Sequence, residues 1–368
     1  MTAEVQTVET GRDLRLFRDL PGAVTGGDPS FIPMLRAAFG AIFDHKRNPF
    51  WRRARSREWL ALRDGRAVGR IGACADPELH ASANGTGAVG FFDCIDDATL
   101  AAELFDRAQE WLRSEGCTRA RGPLNYTIHD TAGLLVEGHD TPPTVDTTWN
   151  PSYYGRLWET GGWDGAQDMI ASCGPISRAR VDRMDRVADL ARKRGVVVRP
   201  LRWNDFAAEI ERLRTIYNAA WADNWGHVPI SAEDWAYKAK DMKAVADPDL
   251  LRIAEVRGEP VGFYLGLPDL NVEIRKCNGR LFPFGWWGLL RARHRVKRMR
   301  LVALGVVPQR RIRGIETLLL SDSYRTAGWR YTWAEASWVL ADNTAMINGL
   351  MKFELTPYKR WRLYERAL

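Results

Sequence analysis

Apolar residues along the chain switch between two periods, and the switches outline its elements. From Arg57 to Arg63 and from Ala67 to Ala75, strand-forming runs flank Asp64-Gly65. An Asp-Gly pair in that setting predicts a hairpin with a tight turn. Ala88 to Ile95 reads as the next strand. Asp96 and Asp97 then precede Leu100, Leu104, Ala108, Trp111 and Leu112, which share one helical face. Carboxylates ahead of such a face predict a capped helix, and Gly116 its end. Arg178 to Arg194 is helix-like, with Val181, Met184, Val187, Leu190 and Ala191 as its modest apolar content. Phe206, Ile210, Leu213, Tyr217 and Ala220 predict a helix over 204–221, and 250–256 with 261–267 a second hairpin around Arg257-Gly258. Leu301 to Val307 predicts a strand, a helix follows from near Gly314, and Thr332 to Leu340 is a further strand.

The two hairpins are copies. Asp64-Gly65-Arg-Ala-Val68-Gly69 aligns with Arg257-Gly258-Glu-Pro-Val261-Gly262, 193 positions on, and the same offset places Asn150 over Asn343. Two anchors at one spacing imply a duplication. The expected organisation is a first half over 1–170, a basic connecting segment over 171–203 and a second half over 204–368. One difference between the halves bears on donor binding. The helix after the third strand of the first half starts at Asp96-Asp97, whereas the second half has arginines there. Acidic caps satisfy the N–H groups and repel phosphate, so the first half is expected to lack a donor phosphate site.

In the second half, strand, turn and helix run through Leu301 to Leu320. The turn is Val307-Pro-Gln309-Arg310-Arg311-Ile-Arg313-Gly314. A helix N-terminus there presents unpaired N–H groups, and three arginines add positive charge, which together predict an anion site. Solvated arginines on an ordinary connection are the plainer alternative. The segment resembles the pyrophosphate-binding signature of the GNAT superfamily of acyltransferases, with Ile312 and Glu316 at two of its glycine positions. Asn343 to Phe353 follows the family's next motif loosely, with Leu350 where a tyrosine often serves as acid. Segments such as Arg121-Gly-Pro-Leu-Asn125, Asn150-Pro-Ser-Tyr153-Tyr154 and Asn224-Trp225-Gly-His227-Val-Pro229 extend the resemblance, nearly end to end, to a group of bacterial GNAT-like proteins of about this length. The resemblance implies an α/β (α+β) fold of two tandem GNAT-like domains, each a mixed, mostly antiparallel sheet flanked by helices. It also implies acyl-CoA as co-substrate and a small-molecule amine as acceptor.

Composition adds two constraints. The five cysteines are scattered singly and the histidines are isolated, which predicts neither a disulfide framework nor a metal site and points to a reducing cytoplasm. No apolar run is long enough to span a bilayer, and the N-terminus lacks the pattern of a signal peptide. The net charge of +7 is concentrated: 274–315 holds twelve Lys or Arg and no acid. Arg291, Arg293, Arg295, Lys297 and Arg298 form its densest part, opened by Trp286 and Trp287. Such a run is usually a solvated face; it would equally suit a polyanionic donor, coenzyme A or tRNA.

The strand position that supplies the base in many GNAT enzymes holds Val302, Ala303 and Leu304. Replacement catalytic candidates are His227, His129, Glu335 and Tyr358, and Asn125, Asp130, Tyr153, Tyr154, Trp225 and Asn343 are candidates for the acceptor pocket. Each has a bland alternative: a loop histidine, an Asx turn, a half-exposed strand, a packed tyrosine. The leading expectation is amide formation from an acyl thioester. Aminoacyl-tRNA is the alternative donor, and a non-catalytic binding protein on the same scaffold is the third reading.

Overall fold

In the computed structural model, which describes residues 3–292, 295–327 and 330–368, the chain divides into two compact units. The first comprises the residues up to Met169 together with Ile274–Gly285 and Lys359–Leu368. The second comprises Ile170–Glu273 and Trp286–Tyr358.

The elements run β1 (Glu4–Thr7), α1 (Gly11–Val24), α2 (Arg36–Ile42), β2 (Arg55–Arg63), β3 (Arg66–Ala75), α3 (Pro77–Ser82), β4 (Thr86–Cys94), α4 (Ala98–Ser114), β5 (Arg119–Gly122), β6 (Leu134–Glu137), α5 (Tyr154–Thr160) and β7 (Asp164–Pro175). They continue with α6 (Arg178–Lys193), β8 (Val196–Pro200), α7 (Phe206–Ala220), α8 (Ala232–Val245), β9 (Leu251–Val256), β10 (Glu259–Pro268), α9 (Asn271–Lys276), α10 (Gly285–Ala292), β11 (Arg298–Val306), α11 (Ile315–Thr326), β12 (Trp333–Leu340), α12 (Thr344–Lys352) and β13 (Thr356–Ala367).

In the first unit β1 to β4 pair antiparallel in sequence, β4 and β5 pair parallel, and β5 and β6 each pair antiparallel with β13. The second unit repeats the pattern: β8 to β11 pair antiparallel in sequence and β11 pairs parallel with β12. Both hairpin turns use the same backbone, with φ of 52° and 73° at Asp64-Gly65 and 52° and 81° at Arg257-Gly258. Two consecutive left-handed residues make the turn whose twist matches the flanking strands. This gives the sequence repeat its physical basis.

In the first unit α4 lays Leu100, Leu104, Ala108 and Leu112 against Trp59, Ile71, Ala73 and Val89. Asp97 caps it, accepting from the Leu100 N–H at 3.1 Å and from Arg63 at 2.8 Å. In the second unit α6 and α11 share the core with Ala254, Val261, Met299 and Leu301. Residues 171–203, expected as a connection, carry the end of β7, all of α6 and β8. Val181, Met184, Ala188 and Ala191 on α6 are fully buried, so the segment is integral to the second unit.

Candidate active site

Each unit has a parallel strand pair among the described residues, and the two pairs end differently. In the second unit β11 and β12 stay in register from Arg298 opposite Trp333 to Leu301 opposite Ala336, and the pairing stops there although both strands continue. At that point β11 also shifts register against β10: Leu265 faces Ala303 and Gly266 faces Leu301, which leaves Val302 as a bulge. A bulge frees a backbone group from the ladder and turns it aside. The pair therefore opens into a cleft with polar backbone at its base.

In the first unit β4 and β5 pair only from Thr86 opposite Arg119 to Ala88 opposite Arg121. Here the chain after β5 fills the gap. Leu124 N–H donates to Val89 O at 2.8 Å, and Phe91 N–H donates to Asn125 Oδ1 at 2.7 Å. Gly90 is required by this closure, since a Cβ there would lie 1.8 Å from Leu124 O. Asn125, named from sequence as a pocket residue, is the plug.

Beyond the open cleft, β11 leads through Val307 and a short helical turn, Pro308–Arg310, to Gly314. Gly314 takes φ 96° and starts α11 with no side-chain cap. Its missing side chain also matters for packing, because a Cβ would meet Val187 O of α6 at 2.9 Å. Gln309, Arg310, Arg311 and Arg313 are all exposed around this helix start. Arg310 pairs with Glu259 at 2.9 Å and Arg311 with Glu316 at 3.4 Å. Those pairs are exposed and therefore weak. Glu316 is held to one side by Arg311 while leaving a negative charge in the first turn.

A buried polar cluster lies on the paired part of β11 and β12, next to where their pairing stops. Glu335, 1% exposed, sits opposite Arg300 in the ladder and accepts a hydrogen bond from the Tyr358 hydroxyl. Burial, and then the Glu335 carboxylate, push the Tyr358 hydroxyl far above its ordinary pKa, so it stays protonated. Arg300 donates to Ser337 Oγ at 2.9 Å and stacks over Trp338 at 4.9 Å. Arg298 lies 3.9 Å over Trp333 and 3.4 Å from the buried Asp269. Buried charges such as Glu335 and Asp269 persist only when paired or hydrogen-bonded.

His227 occupies another wall of the same unit. Trp221, at the end of α7, packs where a Cβ on Gly305 would lie, 2.4 Å from the indole. Tyr217 stacks on Trp221 at 4.7 Å and approaches Trp235 at 5.2 Å and His227 at 5.9 Å. Burial lowers the His227 pKa, which keeps the ring neutral near pH 7. Trp225 lies in the turn that positions it, where His227 N–H donates to Asn224 O at 3.1 Å. Asn343 caps α12, accepting from Met346 N–H at 3.1 Å.

The first-unit candidates divide. His129 and Asp130 share a turn in which Thr127 donates to Asp130 at 2.6 Å and His129 N–H donates to Thr127 at 3.2 Å. Tyr153 donates to Cys94 O at 2.7 Å, while the Tyr154 hydroxyl accepts from Cys94 N–H at 3.1 Å and donates to Asp93 at 3.2 Å. Tyr154 is 1% exposed. Both hydroxyls thus fasten α5 to the end of β4, a structural task that the resemblance gave no hint of. Sequence reasoning missed Glu58. On β2, it accepts from the Tyr126 hydroxyl at 2.7 Å, and burial raises its pKa against the opposing bonds from Ser56 and Tyr126. Gly72 leaves room for that hydroxyl. The only signal was a carboxylate inside an apolar strand, just before Trp59-Leu60-Ala61.

Of the basic stretch, Arg293 lies outside the described residues. Arg291 lies 5.1 Å over Trp287, Arg295 is exposed, and Lys297 O closes the β12 start by accepting from Thr332 and Trp333. Among the described residues no helix is long and apolar enough to cross a membrane, and no group of three or more His, Cys, Asp or Glu is placed to hold a metal ion.

Known structures share this architecture. The chain matches a tandem GNAT protein from the clavulanic acid biosynthesis pathway with a TM-score of 0.58 at 14% identity, covering 99% of this chain and 98% of that one. It matches a GCN5-related N-acetyltransferase from Sphaerobacter thermophilus with a TM-score of 0.55 at 14% identity, covering 99% and 95%. The fold is that of a tandem GNAT acyltransferase. No protein-family model matches the chain. In sequence it is 34% identical to Protein YghO of Escherichia coli over 378 residues, 99% of this chain and 95% of that protein. It is 35% identical to the bacterial ceramide synthase of Caulobacter vibrioides over 377 residues, 98% of this chain and 96% of that protein. The chain belongs to this family of two-half GNAT-like bacterial proteins.

Proposed function

We propose that the protein joins an acyl group from an acyl-CoA thioester to a primary amine, and that this amine heads a long-chain amino alcohol. The observation that carries the acyl transfer is the opening of β11 from β12 beside the Val302 bulge, continued by the uncapped helix start at Gly314. An extended thioester fits such a cleft, with its phosphates at the α11 N-terminus and among Arg310, Arg311 and Arg313. The choice of amine is supported by the relative named as a ceramide synthase, a ceramide being the amide of a long-chain amino alcohol.

In this reading the amine nitrogen attacks the thioester carbonyl. The C–N bond forms, the C–S bond breaks, and the carbonyl oxygen carries charge in between. Backbone N–H at the bulge stabilises that oxygen. Glu335 accepts the proton lost by the amine and returns it to the thiolate, and Tyr358 fixes the carboxylate while keeping its own proton. The test is thiol release from a long-chain acyl-CoA, dependent on a long-chain amino alcohol, with the amide product identified by mass. Thiol release independent of amine, or none, rejects the reading. The aminoacyl-tRNA alternative rests on the basic stretch around Arg291 and Arg295. It would show as tRNA binding that weakens steeply with salt, in a protein without thioester affinity.

A further inference from the structure

We propose that the segment 280–292 docks the protein on an anionic lipid bilayer. The helix α10 is apolar on most of its outward face as well as on its inward one. Gly285, Gly288, Leu289 and Ala292, spaced as one helical stripe, are buried or half-buried, and Trp286, Trp287, Leu290 and Arg291 are exposed. A surface helix normally turns its polar residues to water. Just before it, Phe282 and Phe284 are 82% and 81% exposed. Five of the eleven exposed large hydrophobics among the described residues thus fall between Phe282 and Leu290, and the other six are aliphatic and scattered. Covalent geometry keeps those five together, because nine residues of turn and helix span a short distance.

Scattered single apolar residues need no partner, but a cluster of this kind does. The residue types identify the partner. Trp and Phe with one aliphatic side chain are the residues that settle at the boundary between headgroups and acyl chains. The cations complete the match. Arg280, Arg291 and Arg295 are exposed around the cluster, and Arg291 lies over the Trp287 ring, so charge and ring enter one interface together. No acid occurs from 274 to 315; the nearby carboxylates are Glu273, 3.7 Å from the Cβ position of Gly288, and Asp19, whose acidity the charge of Arg280 strengthens. A basic, aromatic surface suits a lipid sheet carrying negative headgroups. A nucleic acid could use the cations and the flat rings, but it would leave the exposed Leu290 without a role. The inference does not depend on the acyl-transfer reading.

The test is flotation of the full chain with vesicles of phosphatidylglycerol and phosphatidylethanolamine, compared with phosphatidylcholine alone. No thioester or amine is present, so failure here leaves the catalytic reading standing, and the reverse. The protein is expected to float with the anionic vesicles. The change F282S/F284S is expected to lower partitioning about tenfold or more, and R291E/R295E to remove the preference for anionic lipid. Circular dichroism confirms that the variants fold; should the first pair not fold, the arginine pair alone decides. Lack of flotation, equal binding to both vesicle types, or vesicle binding untouched by the variants overturns the proposal. So does retention of tRNA that the phenylalanine changes leave intact while vesicles fail to bind.

Discussion

Two carboxylates show how far a residue can be read before its surroundings are known. Glu335 and Tyr358 are each visible in the sequence as polar residues beside apolar runs, but their pairing joins positions 23 apart that only the folded second unit brings together. Replacing Glu335 with Gln is expected to lower amide-forming turnover by about 10²–10⁴-fold with the fold retained. Tyr358→Phe should lower it less, through loss of positioning. Equal turnover in wild type and Glu335→Gln would move the base elsewhere, with His227 the next to test. Glu58 had no motif to announce it, because its role depends on the buried Tyr126 hydroxyl. Its pKa is raised by burial, so the folded chain holds this proton to higher pH than the unfolded chain. The stabilising contribution is therefore complete below the unfolded value of about 4.3 and is lost as pH rises through the folded value. Glu58→Gln keeps an oxygen for Tyr126 without the charge. It is expected to be more stable than wild type at neutral pH and to lose that advantage in acid, as measured by urea unfolding at both. A variant less stable at neutral pH would contradict this.

At the scale of elements, the sequence was informative wherever local pattern and local chemistry agree. The α4 face, its Asp97 cap and both hairpin turns follow from periodicity and turn residues alone. α6 was visible as a helix but not as a core element. Its modest apolar content hides that Val181, Met184, Ala188 and Ala191 form one buried stripe against α11. The closing of the first cleft by Asn125 was also beyond reach, because it turns on Gly90 having no Cβ. The corresponding feature of the second unit is Gly314. Gly314→Ala would place a Cβ in a left-handed residue and against Val187 O. The expected cost is about 1–2 kcal/mol or more in unfolding free energy, with weaker thioester binding because the helix start shifts. Unchanged stability and affinity in calorimetry would remove this turn from the donor site.

For the whole molecule, duplication followed by divergence explains both the repeat and its asymmetry. One unit keeps an open parallel pair and an uncapped, arginine-flanked helix; the other has a plugged pair and a helix capped by Asp97. Titration calorimetry is accordingly expected to give one thioester per chain, and two would mean that Asn125 yields to ligand. The donor, the amine and the base could not be read from the sequence, because the resemblance supplies a scaffold whose usual catalytic position here holds Val302, Ala303 and Leu304.

The division of the chain has a consequence for its synthesis. The first unit's β5 and β6 take their partner from β13, which follows the entire second unit in the chain. On the ribosome, the first unit therefore waits with an open sheet edge while residues 170–355 emerge and pack. An exposed edge invites pairing with other chains. A fragment spanning 1–170 should be insoluble alone and should be rescued by a peptide carrying β13, added during refolding. A soluble, cooperatively unfolding fragment without that peptide would show that the late strand is dispensable. If the strand is needed, the duplicated halves are no longer separable modules, and the order in which they are made becomes part of how this protein reaches its fold.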